Sequence, residues 1–171
     1  PPQAVLEVAR QMAASLAELE ITGLCHGDIS VANLLVAPDG STTLVAPGLR
    51  GVLRPHEGNG FSDLAPEAYD CLAPERLAAG TAPDVWLHVV ALLAGRPPFP
   101  GGNAIAKLRA VHAARVAEIR PFSPTAPDVL CDIVAACMER DPGQRPQSFA
   151  ELARRLGSPT PAGKALLASL L

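Results

Sequence analysis

The sequence has few aromatic residues and no long apolar run, and each absence excludes a class of protein. Aromatic residues make up 4% of the 171 residues, so aliphatic side chains must fill the core that a hydrophobic content of 49% predicts. No apolar run approaches the ~20 residues needed to span a bilayer. The most apolar stretch, 85–93, is too short and contains His88. We find no signal peptide and expect a cytoplasmic location.

The chain also lacks clustered charge and paired cysteines. The formal net charge is −3 and the basic residues are scattered, which argues against nucleic acid as a partner. Cys25 precedes His26, but two more metal ligands at suitable spacing are not evident. We interpret the cysteines as buried free thiols in a reducing compartment and not as metal ligands. For the chain as a whole we expect no metal and no cofactor. The four cysteines are Cys25, Cys71, Cys131 and Cys137.

Hydrophobic periodicity predicts a mainly helical chain with one small hairpin. Apolar residues recur every three to four positions over 3–20, which favours a helix after the N-terminal prolines. A Pro-Asp-Gly turn at Pro38 joins two short β-prone runs, 34–36 and 43–45. The segment 48–72 has no periodicity and is predicted to be a long surface loop. Further helices are predicted at 84–93, 103–119, 127–139 and 148–156, the last with a capping box that begins at Ser148.

Five short motifs occur in a fixed order along the chain. The first has the spacing His-x-Asp-x4-Asn, from His26 through Asp28 to Asn33. The others are Ala73-Pro74-Glu75, Asp84-Val85-Trp86, the glycine- and proline-rich run 95–101, and Asp141-Pro142-Gly143-Gln144-Arg145-Pro146. In this order they resemble the C-terminal lobe of Ser/Thr protein kinases, and Ser30 with Asn33 is similar to bacterial kinases of the myxobacterial type. Small-molecule kinases of the aminoglycoside-phosphotransferase kind share the first motif but lack the Ala-Pro-Glu and Asp-Pro elements.

The resemblance implies a fold, a domain division and a set of structural residues. The expected fold is a helical kinase-like C-terminal lobe with one hairpin beside the catalytic loop, and with the small N-terminal lobe absent from this chain. Residues 1–156 would form this lobe, and 157–171 a linker and a short apolar tail. The structural residues that the resemblance implies are His26 beneath the loop, Asp84 framing the loop, and the ion pair of Glu75 with Arg145.

The departures from the family pattern carry the functional prediction. Ala46 replaces the Mg²⁺-binding aspartate, and Mg²⁺ requires oxygen ligands that alanine does not provide. Ser30 replaces a lysine that contacts the transferred phosphoryl group, and Gly27 replaces an arginine that grips a phosphorylated loop. Asp28 and Asn33 remain as vestiges of the catalytic set. The sequence contains no glycine-rich loop and no Val-Ala-Ile-Lys segment, and its Glu75-to-Gly95 spacing is about six residues shorter than usual.

We therefore expect a catalytically inactive pseudokinase lobe that acts as a protein-binding adaptor or scaffold in bacterial signalling. Its partners would be proteins, including a second copy of the chain on the uncovered interlobe face. The candidate surfaces are the hairpin, the loop 48–72 and the helix 103–119. The alternative is an active or nucleotide-binding Ser/Thr kinase whose small lobe is supplied by sequence outside this chain or by a partner.

Overall fold

The structure, a computed structural model, describes residues 1–24, 26, 29, 31–46, 103, 105–106, 109, 119–121, 123–139 and 141–171. Within these residues the chain is mostly helical, with one two-stranded antiparallel hairpin. The predicted loop 48–72 and the predicted helix 84–93 lie outside the described residues. Of the predicted helix 103–119, the described residues 105, 106 and 109 are helical and Ile119 is not.

Helix α1 spans Pro2–Ile21 and confirms the helix predicted from the apolar periodicity. A proline occupies its first turn, where the missing amide donor has no intrahelical partner in any case. The helix ends at Thr22, and Gly23 follows with a φ of +75°, a left-handed conformation that glycine adopts without steric cost.

Strands β1 (Leu34–Val36) and β2 (Thr42–Leu44) form the predicted hairpin, with β2 one residue earlier than expected. They pair antiparallel with Leu34 opposite Leu44. In the turn, the Asp39 carboxylate accepts hydrogen bonds from the Ser41 amide at 2.9 Å and the Ser41 hydroxyl at 2.8 Å. These two donors lower the pKa of Asp39, and they close the Pro-Asp-Gly turn that the sequence predicts.

Helices α2 (Asp128–Cys137) and α3 (Phe149–Leu156) agree with two of the predicted helices to within two residues at each end. The Ser148 side chain caps α3 by accepting a hydrogen bond from the Glu151 amide at 3.0 Å. The Glu151 carboxylate in turn accepts from the Gln147 amide at 2.9 Å, one residue before the cap position. The reciprocal contacts of the predicted capping box therefore form, with this one-residue offset.

The C-terminal segment contains a fourth described helix, α4, at Pro161–Ala168. The boundary at residue 156 stays a prediction, but the segment 157–171 is not only a linker with an apolar tail. Thr160 caps α4 by accepting a hydrogen bond from the Gly163 amide at 3.0 Å, and Leu167 is buried against α1. The sequence signal for this helix is a threonine immediately before a proline, which is a common helix start.

Two apolar clusters lie on different faces of α1. The first joins α1 to α2 and α3 through eleven buried residues, among them Leu6, Ala13, Leu130 and Leu156. The second joins α1 to the hairpin and α4 and is smaller. Its buried members are Ala4, Val8, Met12 and Leu167, with Ile29, Leu34, Val36, Leu44 and Leu166 packed beside them.

Contacts at both ends of α3 fix its direction against α1. The Arg10 guanidinium donates through Nε to the Leu156 carbonyl at 2.9 Å, and the Glu20 carboxylate accepts from the Phe149 amide at 3.1 Å. The start of α3 therefore lies near the end of α1, and the two helices run antiparallel. No helix among the described residues is long and apolar enough to cross a membrane.

Candidate functional site

The open end of the hairpin brings two of the singled-out residues together. Asn33 ends a short 3-10 turn, Val31–Asn33, directly before β1. Its carbonyl accepts a hydrogen bond from the Val45 amide at 2.9 Å, which continues the hairpin register by one pair. Ala46 therefore follows the residue opposite Asn33. The kinase-like pattern singled out both residues, and the hairpin is the element that brings them together.

Ala46 has a φ of +64°, the only positive φ among the described residues other than glycine. The left-handed conformation costs an L-residue roughly 1–2 kcal/mol because Cβ approaches the following carbonyl oxygen. Asparagine and aspartate occur there several-fold more often than other residues with a side chain. The backbone at position 46 thus has a conformation suited to aspartate, while the side chain is a methyl group.

These two residues do not fit a divalent cation. Mg²⁺ prefers about six oxygen ligands in near-octahedral geometry and is bound through one or two carboxylates. Ala46 supplies no ligand, and Asn33 supplies at most one amide oxygen. Across the described ranges, no cluster of three or more His, Cys, Asp or Glu residues could hold a metal ion. Asp28, Gly27 and Ser30 lie outside those ranges, so their predicted roles stay predictions.

His26 is buried at 5% exposure and lines an open cavity of about 200 Å³ between α1 and β2. Its burial fits the structural role implied by the resemblance, and that role stays a prediction. Among the described residues, the cavity lining includes no carboxylate. The other lining residues are Ser15, Leu16, Leu19, Thr42, Thr43 and Leu44.

Arg145 lies in the connection between α2 and α3 and is also buried, at 8% exposure. Its Nε donates to the Glu139 carbonyl at 2.7 Å, and its own carbonyl accepts from the Gln147 side chain at 2.6 Å. These contacts hold the connection against the end of α2. The predicted partner Glu75 lies outside the described residues, as does Asp84, and the predicted ion pair stays a prediction.

Of the cysteines, Cys131 and Cys137 are described and both are free thiols. Cys137 is buried in the first apolar cluster, and Cys131 is half-buried beside it. Burial raises the pKa of the Cys137 thiol to about 11, which keeps it protonated and unreactive at neutral pH. The interpretation as buried free thiols is confirmed for Cys137. Cys25 and Cys71 lie outside the described part of the chain.

Sequence reasoning missed two buried polar residues on α1, Glu7 and Gln11. Glu7 is 1% exposed and Gln11 is 7% exposed. They stand one turn apart, within the run of apolar positions that was used only to predict the helix. A carboxylate inside such a stripe is an available signal, because a buried charge requires hydrogen-bonding partners.

Comparison with known proteins identifies the family. The model of the family described as protein tyrosine and serine/threonine kinase matches residues 1–156. The chain therefore belongs to the protein kinase family, as the motifs predicted. The match ends where α3 ends, so α4 lies beyond it.

Individual relatives include bacterial serine/threonine-protein kinases. PkaA of Streptomyces coelicolor is 33% identical over 168 residues, covering 91% of this chain and 29% of the relative. PknL of Mycobacterium tuberculosis is 30% identical over 152 residues, covering 85% of this chain and 38% of the relative. Human protein-tyrosine kinase 6 is 32% identical over 174 residues, covering 92% of this chain and 35% of the relative. The chain spans only 29–38% of the length of these three relatives, and the narrower likeness to myxobacterial kinases stays a prediction.

Proposed function

We propose that this chain is a pseudokinase-type C-terminal lobe that binds proteins as an adaptor or scaffold in bacterial signalling and does not transfer phosphate. The observation that carries the proposal is the pair at the open end of the hairpin. Phosphoryl transfer depends on metal ions that neutralise the developing charge, and Ala46 beside Asn33 supplies no carboxylate for one. Ser30 and Gly27, in the sequence, remove two further charged groups that the resemblance leads one to expect.

Exposed apolar side chains near the hairpin support a protein-binding role. Val31 is 48% exposed and Leu35 is 56% exposed, on the segment that carries Asn33. Ile21 and Leu24, at the end of α1, are also largely exposed. Exposed apolar side chains of this kind mark a site that binds another protein where they join into one patch. The partner proposed for this surface is a protein, with a second copy of the chain as the simplest case.

A thermal-shift titration with ATP and Mg²⁺ or Mn²⁺ tests the inactive assignment. A ligand at 100 times its Kd raises the stability of a folded protein by about 2.7 kcal/mol, which is readily seen as a change in Tm. We expect no change for this chain. A metal-dependent rise in Tm would contradict the proposal and support the alternative, a nucleotide-binding or active kinase completed by a small lobe from elsewhere.

The variant Ala46→Asp makes this test two-sided. It adds a carboxylate at a backbone position that already has the conformation suited to aspartate. We expect the variant to gain a Mn²⁺-dependent rise in Tm that the parent chain lacks. Ala37→Asp, an equivalent change at an exposed position in the hairpin turn, is the matched control and should gain none. If both variants respond equally, the cation is binding to added surface charge.

Self-association through the hairpin face is tested by sedimentation velocity over a range of protein concentrations. If a second copy covers this face, the sedimentation coefficient should rise with concentration for the parent chain and not for Leu35→Asp. Leu171→Asp, at an exposed apolar residue of the C-terminus, is the control and should behave like the parent. Concentration-independent monomers of the parent chain would exclude a second copy as the partner.

A further inference from the structure

The carboxylate of Glu7 is the acceptor at the start of α4. Its two oxygens each lie 3.1 Å from the Thr160 amide nitrogen, and Oε2 also accepts from the Thr160 hydroxyl at 3.1 Å. A negative charge at a helix N-terminus is favourable because the free amide groups there carry partial positive charge. Glu7 belongs to α1, so this contact joins helix α4 to helix α1, 153 residues apart in sequence.

One turn further along α1, the Gln11 amide joins Glu7 to the hairpin turn. Gln11 Nε2 donates to Glu7 Oε1 at 3.0 Å and to the Gly40 carbonyl at 3.1 Å. Gln11 Oε1 accepts from the Thr42 amide at 2.8 Å and from the Thr42 hydroxyl at 3.2 Å. A continuous series of hydrogen bonds therefore runs from Thr160 through Glu7 and Gln11 to both sides of the hairpin turn.

Two glycines allow these three elements to approach this closely. A Cβ on Gly40 would lie 1.9 Å from the Lys164 carbonyl oxygen, and a Cβ on Gly163 would lie 2.2 Å from Glu7 Oε2. The first contact is between the hairpin turn and α4 directly. Hairpin, α4 and α1 thus meet at one point, so a displacement of α4 removes contacts from both of the others.

Helix α4 depends on this docking for its own existence. It has eight residues, and isolated helices shorter than about 12–15 residues are marginal in water. Leu167 is its one buried residue, and its other contacts with α1 and the hairpin include those of Thr160, Gly163, Lys164 and Leu166. Undocking and unwinding should therefore occur together, which gives this segment two states, a docked helix and a free coil.

We propose that α4 is a latch on the hairpin: docking of the C-terminal helix, transmitted through Glu7 and Gln11, fixes the hairpin whose open end carries Asn33 and Ala46. This goes beyond the proposed function, since it concerns a segment outside the family match and holds whether or not the chain binds nucleotide. Release of α4 would loosen the hairpin while leaving α2 and α3 packed, because those helices contact the other face of α1. A partner that captures the C-terminal segment would thereby change the hairpin surface.

Hydrogen–deuterium exchange on the full chain tests this coupling. Thr160→Val removes the hydroxyl that caps α4 and donates to Glu7, and Ser158→Ala removes an exposed hydroxyl two residues earlier as the matched control. In Thr160→Val we expect at least tenfold faster exchange both in 161–168 and at the hairpin amides of Thr42 and Val45. Exchange in 128–137 should stay at the parent rate, and Ser158→Ala should match the parent throughout.

The reciprocal variant keeps the proposal falsifiable if Thr160→Val is poorly folded. Coupling between two sites is thermodynamically symmetric, so loosening the hairpin must loosen α4. Gln11→Ala removes the hairpin contacts and the hydrogen bond to Glu7 but leaves Glu7 and Thr160 themselves unchanged, and Gln3→Ala, at an exposed glutamine of the same helix, is its control. We expect faster exchange at the Gly163 and Lys164 amides in Gln11→Ala alone. The latch proposal is wrong if a variant speeds exchange only in the element whose contacts it removes, or if it speeds exchange equally in α2 and α3.

Discussion

The two faces of α1 are packed by different kinds of contact. On one face, α2 and α3 pack mainly through a cluster of buried apolar side chains in which Leu130 is completely inaccessible, with hydrogen bonds to α1 at the two ends of α3. On the other face, the hairpin and α4 pack through four buried apolar residues and a series of hydrogen bonds centred on Glu7 and Gln11. Apolar packing is strong and non-directional, whereas hydrogen bonds add little net stability but fix orientation.

This difference assigns distinct tasks to the two faces. The apolar face supplies most of the stability of the described structure, because buried apolar area is the dominant favourable contribution to folding. The polar face determines where the hairpin lies, and the open end of the hairpin carries Asn33 and Ala46. A change to the first face should therefore act on the whole fold, and a change to the second should act on the position and protection of the hairpin.

The largest expected effect is a truncation in the apolar face. Leu130→Ala should lower the free energy of unfolding by about 2–5 kcal/mol, the usual range for a buried leucine truncated to alanine. Leu167→Ala, in the polar face, should cost about 2 kcal/mol or less, since α4 can undock and relieve the cavity. Urea denaturation of both variants measures the comparison. Equal losses would mean that α4 is as integral to the fold as α2.

The next largest expected effect is a loss of stability at high pH, which reports on Cys137 in the apolar face. Its thiol has a pKa of about 11 in the folded chain, raised by burial from about 9. Between these values the unfolded chain loses the proton first, so stability is unaffected below pH 9 and falls as pH rises toward 11. The loss should reach up to about 2–3 kcal/mol, at about 1.4 kcal/mol for each unit of pKa difference.

Cys137→Ala provides the reference for this measurement. Other groups titrate in the same range, so the informative quantity is the difference between the two chains in how unfolding free energy changes from pH 8 to 11. The variant should lose less stability over that interval than the parent. Parallel curves would mean that the thiol has a similar pKa in the folded and unfolded chain, and that water reaches this part of the core.

A smaller effect is expected from the buried carboxylate of the polar face. Glu7→Gln places an amide donor where the Thr160 amide already donates, which leaves at least one buried polar group without its partner. We expect a loss of about 1–3 kcal/mol in unfolding free energy. Glu18→Gln, at an exposed carboxylate of the same helix, should change it by no more than about 0.5 kcal/mol. A neutral Glu7→Gln would show that the carboxylate charge is unimportant for docking α4.

The fold was predictable from sequence where a periodic pattern or a turn residue carried the information. The bounds of α1 follow from its apolar spacing, the hairpin from Pro38-Asp39-Gly40, and α3 from its cap at Ser148. Helix α4 was not predicted because its eight residues are too few to show a period, and its stability comes from contacts with α1. Its one local signal is the Thr160-Pro161 start, which carries no information about those tertiary contacts.

The sequence predicted which residues the candidate site contains, but not the contacts that hold the hairpin carrying them in place. The kinase-like pattern singled out Asn33 and Ala46 separately, and the hairpin register brings them together. Glu7 and Gln11 were missed because a helical period treats every position on a buried face as apolar. Their role becomes visible only when Thr160 and Thr42, remote in sequence, are placed beside them.

The smallest expected effect concerns the backbone at the open end of the hairpin. Ala46→Gly should raise the free energy of unfolding by about 0.5–1 kcal/mol, because relief of a left-handed strain of about 1–2 kcal/mol exceeds an unfolded-state entropy cost of about 0.4–1 kcal/mol. Ala37 lies in the same hairpin and has no positive φ. Ala37→Gly therefore adds only the unfolded-state entropy cost and should lower the free energy of unfolding. Urea denaturation measures whether each variant has a higher or a lower free energy of unfolding than the parent chain. If both variants lose stability, the strain at position 46 is absent in solution, and the backbone there is not specially suited to aspartate.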